Sequence, residues 1–192
     1  MNYDLRNQKY QTSEGTQTFF RQEIPVISDN SEIINMFEIT KYQPLISDMV
    51  GKISFYSKAA NSLTDDDVRI SKRLYIPSYK LRGFQKGKVG PKDNDSYIGG
   101  NYVSTLNIST TLPQILPSFQ NTDFSFFIDM GNVWGVDYSD TIDDKSTLRS
   151  SAGLAIDLMT VIGPMNFAFT ETISKASSDK TESFRFNIGT SF

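Results

Sequence analysis

The residue types on which most protein catalysis depends are missing from this sequence. Its 192 residues include no histidine and no cysteine. Without histidine the chain lacks the usual general base at neutral pH and any Ser-His-Asp triad. Without cysteine it has no thiolate nucleophile, no disulfide and no cysteine–zinc site. We therefore expect a protein that is not an enzyme and that needs no cofactor and no metal.

Two kinds of short stretch imitate ligand sites but lack the spacing that those sites require. The run GFQKGK at residues 83–88 suggests a phosphate loop, yet Val89 stands where such a loop has serine or threonine, and no helical pattern follows. The acidic runs at residues 65–67 and 93–95 could offer oxygen ligands to Ca²⁺, but their spacing is not that of an EF-hand loop. Solvated loops are the commoner reason for such acidic runs.

Arg82 is the charged residue with the most unusual neighbours. It is flanked by Leu81, Gly83 and Phe84, so it lies in an apolar part of the chain. If this segment folds into the interior of a barrel, Arg82 needs a carboxylate partner, because an unpaired buried charge is costly. Asp129 is a candidate, since alternation places it on the inner side of its strand, and it could form a bidentate pair with Arg82. An ordinary surface arginine is the alternative interpretation.

Alternation of apolar and polar residues predicts the strands that must position these groups. The last predicted strand, residues 182–192, has an apolar face and a mostly polar face. The apolar face carries Phe184, Phe186, Ile188 and Phe192, and the other carries Arg185, Asn187, Gly189 and Ser191. Residues 124–129, 148–158 and 165–170 alternate in the same way. We expect the strands that contain these runs to extend over about ten residues, the length that a tilted strand needs to cross a bilayer.

The connections between strands also follow a pattern. Less regular strands are predicted at residues 1–5, 15–24, 32–42 and 49–60. The links at residues 43–48 and 161–162 are short and that at residues 113–122 is moderately short, whereas residues 135–146 are long and acidic and residues 175–181 are polar. Outer-membrane barrels alternate short periplasmic turns with longer external loops, and this pattern places Phe192 on the periplasmic side.

The largest connection, residues 61–97, is far longer than a hairpin needs. Loops of this size are usually functional or disordered. This loop is rich in glycine and lysine, yet it also carries Tyr75, Ile76, Tyr79, Leu81 and Phe84. Such apolar residues would serve no purpose in a floppy tether. We therefore expect the loop to pack inside the structure.

Charge and hydropathy are consistent with a membrane barrel. The mean hydropathy is −0.34, and no segment approaches the ~18 apolar residues that a spanning helix needs. A barrel keeps a low mean hydropathy because its lipid-facing and lumen-facing residues alternate. The formal net charge of −3 does not favour a nucleic-acid partner.

Several sequence blocks, in order and with consistent spacing, carry a resemblance. They are YDLRNQKYQTSEG at residues 3–15, LRGF at 81–84, GPKD at 90–93, IGGN at 98–101, FFIDMGNVW at 126–134, LRSSAGLAIDLMTVIGPMNFAF at 148–169 and FRFNIGTSF at 184–192. Together they resemble the BamA family of outer-membrane protein assembly factors, part of the bacterial surface antigen family. The resemblance covers essentially the whole chain.

The resemblance implies an all-β fold, a transmembrane antiparallel β-barrel of about sixteen strands of which residues 1–192 form about the last eight. The POTRA domains and the first barrel half would be absent from a truncated chain. A free-standing eight-stranded barrel is the geometric alternative. Arg82 would be the motif arginine of the in-folded loop, and Asp129 its partner on the barrel wall. Ser109 aligns where the family often has a glutamate, which implies a weaker tether.

For function, the resemblance implies folding and insertion of outer-membrane proteins in the outer membrane of Gram-negative bacteria, through a lateral seam that includes the last strand. The implied partners are unfolded outer-membrane proteins, accessory assembly lipoproteins and the lipid bilayer. Gly189 would weaken strand pairing at this seam, or would mark a kink at the barrel rim. The alternatives are a TamA-like or two-partner-secretion barrel of the same superfamily and a passive porin-like barrel.

Overall fold

The computed structural model describes residues 1–9, 11–25, 32–46, 48–64, 67–112, 122–160 and 163–188. These residues form an all-β chain with two short 3-10 turns, Ile70–Lys72 and Ser78–Lys80. The strands are β1 (Asn2–Asp4), β2 (Gly15–Glu23), β3 (Glu32–Pro44), β4 (Val50–Ser62), β5 (Lys92–Asp93), β6 (Ser96–Tyr97), β7 (Tyr102–Thr111), β8 (Thr122–Trp134), β9 (Arg149–Thr160), β10 (Gly163–Ser174) and β11 (Phe184–Ile188). Among the described residues, no helix is long and apolar enough to cross a membrane.

Nine of the strands form one antiparallel sheet in the order β1-β2-β3-β4-β7-β8-β9-β10-β11. Each strand therefore pairs with its neighbour in sequence, and only the long connection between β4 and β7 interrupts the series. That connection carries its own small hairpin, β5 paired with β6. The predicted fold class, an antiparallel all-β piece of a larger barrel, is confirmed, with eight longer strands preceded by the short β1.

The register between strands aligns the apolar residues on one face of the sheet. One row runs straight across four strands through Phe126, Leu154, Phe169 and Phe184. These four side chains are between 43% and 50% exposed. Exposed apolar rows of this extent are unfavourable in water and are the surface that a barrel presents to lipid.

The opposite, inner face of the sheet is covered by the long loop. Buried apolar side chains of the loop, among them Leu81, Phe84 and Val89, share one core with Val103 and Val133 of the wall. Small or polar wall residues complete the inner face, and Ala155, Ala168 and Ser151 are almost fully buried. The hydrophobic core thus lies between the loop and the sheet.

The last strand departs from its predicted bounds. It begins at Phe184, and not at Glu182, because the Glu182 N–H donates to the carbonyl of Gly83 in the long loop and takes no part in the ladder with β10. The predicted end of this strand, residues 189–192 with Gly189 and Phe192, lies outside the described residues. The predicted turn at residues 161–162 and most of that at residues 113–122 lie outside them too.

Candidate functional site

Arg82 and Asp129 form a bidentate ion pair between the loop and the inner wall. The Arg82 Nε lies 2.7 Å from Asp129 Oδ2, and Nη2 lies 2.8 Å from Oδ1. The backbone N–H of Arg82 also donates to Oδ2, at 3.1 Å. The carboxylate is 0% exposed, so its charge is compensated entirely by protein groups. Such a fork is among the strongest polar contacts that two side chains can make.

Strand geometry explains how β8 holds the guanidinium from two sides. Residues two apart in a strand point to the same face, so Phe127 and Asp129 both face the loop. The guanidinium carbon of Arg82 lies 3.4 Å from the centroid of the Phe127 ring, a close cation–π contact. The aromatic face and the carboxylate therefore fix both the position and the plane of the guanidinium.

The backbone of the motif is held by the two strands that follow β8. The Ser151 hydroxyl on β9 donates to the Arg82 carbonyl at 2.5 Å, and the Thr172 hydroxyl on β10 donates to the Gly83 carbonyl at 3.3 Å. Gly83 has a φ of +86° and lies against the wall. Leu81 and Phe84, on either side, are each only 2% exposed. All four residues of the segment 81–84 thus contact the wall or the loop core.

Ser109 makes no hydrogen bond to the pair, and Asn107 makes one in its place. Ser109 lies on the inner face of β7 opposite Phe127. Asn107, directly opposite Asp129 in the register, donates from Nδ2 to Asp129 Oδ1 at 2.9 Å and to the Lys80 carbonyl at 2.7 Å. The sequence reasoning missed Asn107, although its position two residues from Ser109 places it on the same face.

A second tether between loop and wall was also missed. Lys80 Nζ lies 2.6 Å from Glu38 Oε1 on β3. The ammonium lies 4.8 Å from the centroid of the Tyr56 ring and 5.2 Å from that of Tyr79. The available signal was Glu38 itself, an acidic residue on the inner face of β3 between the outer-facing Phe37 and Ile39. The loop is therefore fixed to strands on both sides of β7.

The end of the loop near β8 is held by a cluster around Asp137. Its carboxylate accepts hydrogen bonds from the Val68 N–H, the Asn101 amide and the buried Arg73 guanidinium, the last at 2.5 Å. Burial alone would raise the pKa of Asp137, but these donors stabilise the charged form and hold the pKa below its ordinary value of 3.8. A separate buried pair, Arg149 with Asp179 at 2.9 Å, lies between β9 and the β10–β11 connection.

The Asp137 cluster should make stability depend on pH. A carboxyl with a lowered pKa in the folded state stabilises the fold above its ordinary value of 3.8, and this contribution disappears as the pH falls through the lowered value. Asp137→Asn should therefore lower the urea midpoint of the full-length protein at neutral pH, and the gap to wild type should close in acid. The exposed Asp140→Asn is the control. A gap that persists unchanged in acid would contradict this assignment.

The last strand presents an apolar outer face and a polar inner face. Phe184, Phe186 and Ile188 are exposed, and Phe186 stacks on Phe167 of β10 with ring centroids 4.8 Å apart. The inner face of β11 carries Arg185 and Asn187. Among the described strands, β11 is the last in the sheet and pairs with β10 alone. No other described strand pairs with its second edge.

These features define a class of protein. An antiparallel sheet with an apolar outer face, an inner face of mixed polar and apolar residues, and an ion-paired loop packed against that inner face is the wall of an outer-membrane β-barrel. The Omp85 superfamily domain matches residues 1–192. The chain therefore belongs to the Omp85 superfamily and is an outer-membrane protein.

Individual relatives agree with this membership. The chain is 31% identical over 141 residues, 58% of its length, to the outer membrane protein assembly factor BamA of Neisseria meningitidis. It is 24% identical over 152 residues, 77% of its length, to BamA of Neorickettsia risticii. The matches span only 17% and 20% of those two relatives.

A solved structure is also similar. The crystal structure of BamA from Haemophilus ducreyi lacking POTRA domains 1–3 matches 96% of this chain and 40% of that protein, with a TM-score of 0.84 and 26% identity. The resemblance inferred from the sequence blocks is thus confirmed.

Proposed function

We propose that the full-length protein folds and inserts β-barrel proteins into the outer membrane, through a lateral seam of which β11 forms one edge. The observation that carries this proposal is the similarity of 96% of the chain to a BamA barrel. The curated relatives named as assembly factors support it. The proposed partners are unfolded outer-membrane proteins, accessory assembly lipoproteins and the lipid bilayer, with no nucleic acid.

The edge of β11 that faces away from β10 suggests how a substrate could be received. Ser183 accepts a hydrogen bond from the Thr170 N–H at 2.8 Å, so by alternation the backbone groups of Phe184, Phe186 and Ile188 point away from β10. An extended substrate segment can pair with such an edge by β-augmentation. Pairing satisfies backbone groups that would otherwise be unpaired in lipid. The proposed activity therefore needs no nucleotide and no covalent chemistry, and the protein is not an enzyme.

Two alternative functions differ from assembly in what the barrel would transport. A TamA-like or two-partner-secretion barrel would share the family and the loop motif but would export particular proteins. A passive porin needs an open lumen, whereas here a packed loop shares a buried core with the inner wall. That packing favours assembly over passive transport.

Depletion of the full-length protein tests these functions against each other. We expect the folded, heat-modifiable forms of several unrelated barrel proteins to disappear together from the outer membrane. Loss of one exported protein alone would indicate secretion, and loss of small-solute uptake alone would indicate a porin.

Photo-crosslinking tests the seam itself. A photo-reactive residue at Phe186 of β11 should capture a radiolabelled barrel protein during its assembly. The same residue at Phe37, on the outer face of β3 and far from β11 in the sheet, is the matched control. Equal capture at both positions would contradict the assignment of β11 to a seam that receives substrates.

A further inference from the structure

The chain that enters β11 parts from β10 and leaves a cleft. The pairing of the two strands runs from Met165 opposite Ile188 to Phe169 opposite Phe184, and the contact between Thr170 and Ser183 is its last bond. Beyond this point β10 is paired only with β9. A cleft of about 260 Å³, lined by residues 170–173, 175 and 181–183, separates the two segments.

The same segment pairs with the long loop in place of β10. Phe84 lies directly opposite Thr181 in an antiparallel bridge. The Gln85 N–H donates to the Lys180 carbonyl at 2.9 Å, on one side of this bridge, and the Glu182 N–H donates to the Gly83 carbonyl at 3.0 Å, on the other. The loop thus forms a short antiparallel ladder with the chain that leads into β11.

Arg185 reinforces this pairing from inside the barrel. Its side chain is 11% exposed, and its Nε donates to Glu182 Oε1 at 2.5 Å. Its two terminal nitrogens donate to the carbonyls of Ser78 and Phe84. Those carbonyls belong to the loop on either side of Arg82. One guanidinium on the last strand therefore binds the backbone of the loop at two points around the motif.

We propose that Arg185 is a positioning residue that latches the last strand to the long loop, so that the two are displaced together. In this structure residues 180–182 lie beside the loop, and their bonds to it hold them across the cleft from β10. Release of the loop would therefore let these residues close the cleft. The latch is a property of the fold, whereas its use during substrate assembly rests on the proposed function.

Two engineered cysteine pairs in the full-length protein distinguish pairing of this segment with the loop from pairing with β10. Residues 1–192 contain no native cysteine. The pair Gln85→Cys with Lys180→Cys reports the observed ladder, because the two positions lie directly opposite each other. The pair Thr172→Cys with Thr181→Cys reports the alternative, since continuing the β10–β11 register would bring them together. In the otherwise unchanged protein, we expect a disulfide in the first pair and little in the second.

Replacing Arg185 should reverse this preference. Arg185→Ala should slow disulfide formation in the first pair by about tenfold, as expected when hydrogen bonds from a charged donor are lost, and should speed it in the second. Arg185→Lys keeps the charge without the planar fork and should behave similarly. Arg21→Ala on β2, which removes an exposed arginine, is the control and should change neither rate.

Only the folded, heat-modifiable protein is scored, so a loss of folding cannot imitate a loss of the latch. Unchanged rates in both folded Arg185 variants would overturn the proposal. The latch and the proposed function can fail separately. Altered disulfide rates, together with barrel assembly that continues after depletion, would support the latch and refute the proposed function. Unaltered disulfide rates, together with failed barrel assembly after depletion, would refute the latch and support the proposed function.

Discussion

Arg82→Ala is expected to destabilise the folded full-length protein by about 3–5 kcal/mol, the cost of leaving a buried charge without its partner. The variant removes three things at once: the two-point fork, the contact with the Phe127 ring and one of the loop's positive charges inside the barrel. The fully buried Asp129 would keep only the Asn107 amide and a backbone N–H. The urea midpoint and the temperature of the heat-modifiable shift both measure the loss.

Three further variants separate the charge from its geometry. Arg82→Lys keeps the charge but cannot form the fork, and its effect should be intermediate. Arg82→Leu combined with Asp129→Leu removes both charges and should recover much of the loss. Arg21→Ala breaks an ion pair whose arginine is 61% exposed, and it should cost less than about 1 kcal/mol. An Arg82→Ala effect as small as that of Arg21→Ala would contradict the tether.

Gly83→Ala should have the second largest effect, about 2–4 kcal/mol from backbone strain and overpacking together. Gly83 has a φ of +86°, and an added Cβ would lie 2.6 Å from Thr170 Cγ2 and 3.2 Å from Ser151 Cβ. Both neighbours belong to strands, and the β-branched threonine has little freedom to rotate away. The methyl group should therefore push the loop from the wall. The urea midpoint is the measurement.

Gly87 is a matched control within the same loop. Its φ is +67°, but a Cβ there would meet nothing within 4 Å. Gly87→Ala should thus show only the backbone cost of about 1–2 kcal/mol. The difference between the two variants isolates the contact with the wall. Thr170→Ser, which removes the obstructing methyl group, should rescue part of the Gly83→Ala loss, and equal losses at both glycines would refute the close approach.

The face that each strand residue occupies could be predicted from the sequence alone. Alternation is a local property with a period of two residues, and it needs no knowledge of what a strand packs against. It correctly assigned Phe126 and Ile128 to the outer face and Phe127 and Asp129 to the inner face. The apolar content of residues 61–97 was likewise enough to predict a packed loop.

The choice of partners across the interior was decided only by the tertiary structure. Alternation places both Glu38 and Asp129 on the inner face, and it cannot say which of them pairs with Arg82 and which with Lys80. Strand register and loop path decide that, bringing together residues 47 positions apart in one case and 42 in the other.

The ladder between the loop and the chain entering β11 joins residues about a hundred positions apart, and it shortens a strand that alternation alone extends to Glu182. No local pattern records such a contact, because its free energy depends on where the folded sheet carries each segment. The sequence alone determined the strands, their faces and the family. The tertiary structure decided which charges meet and which neighbour the last strand holds.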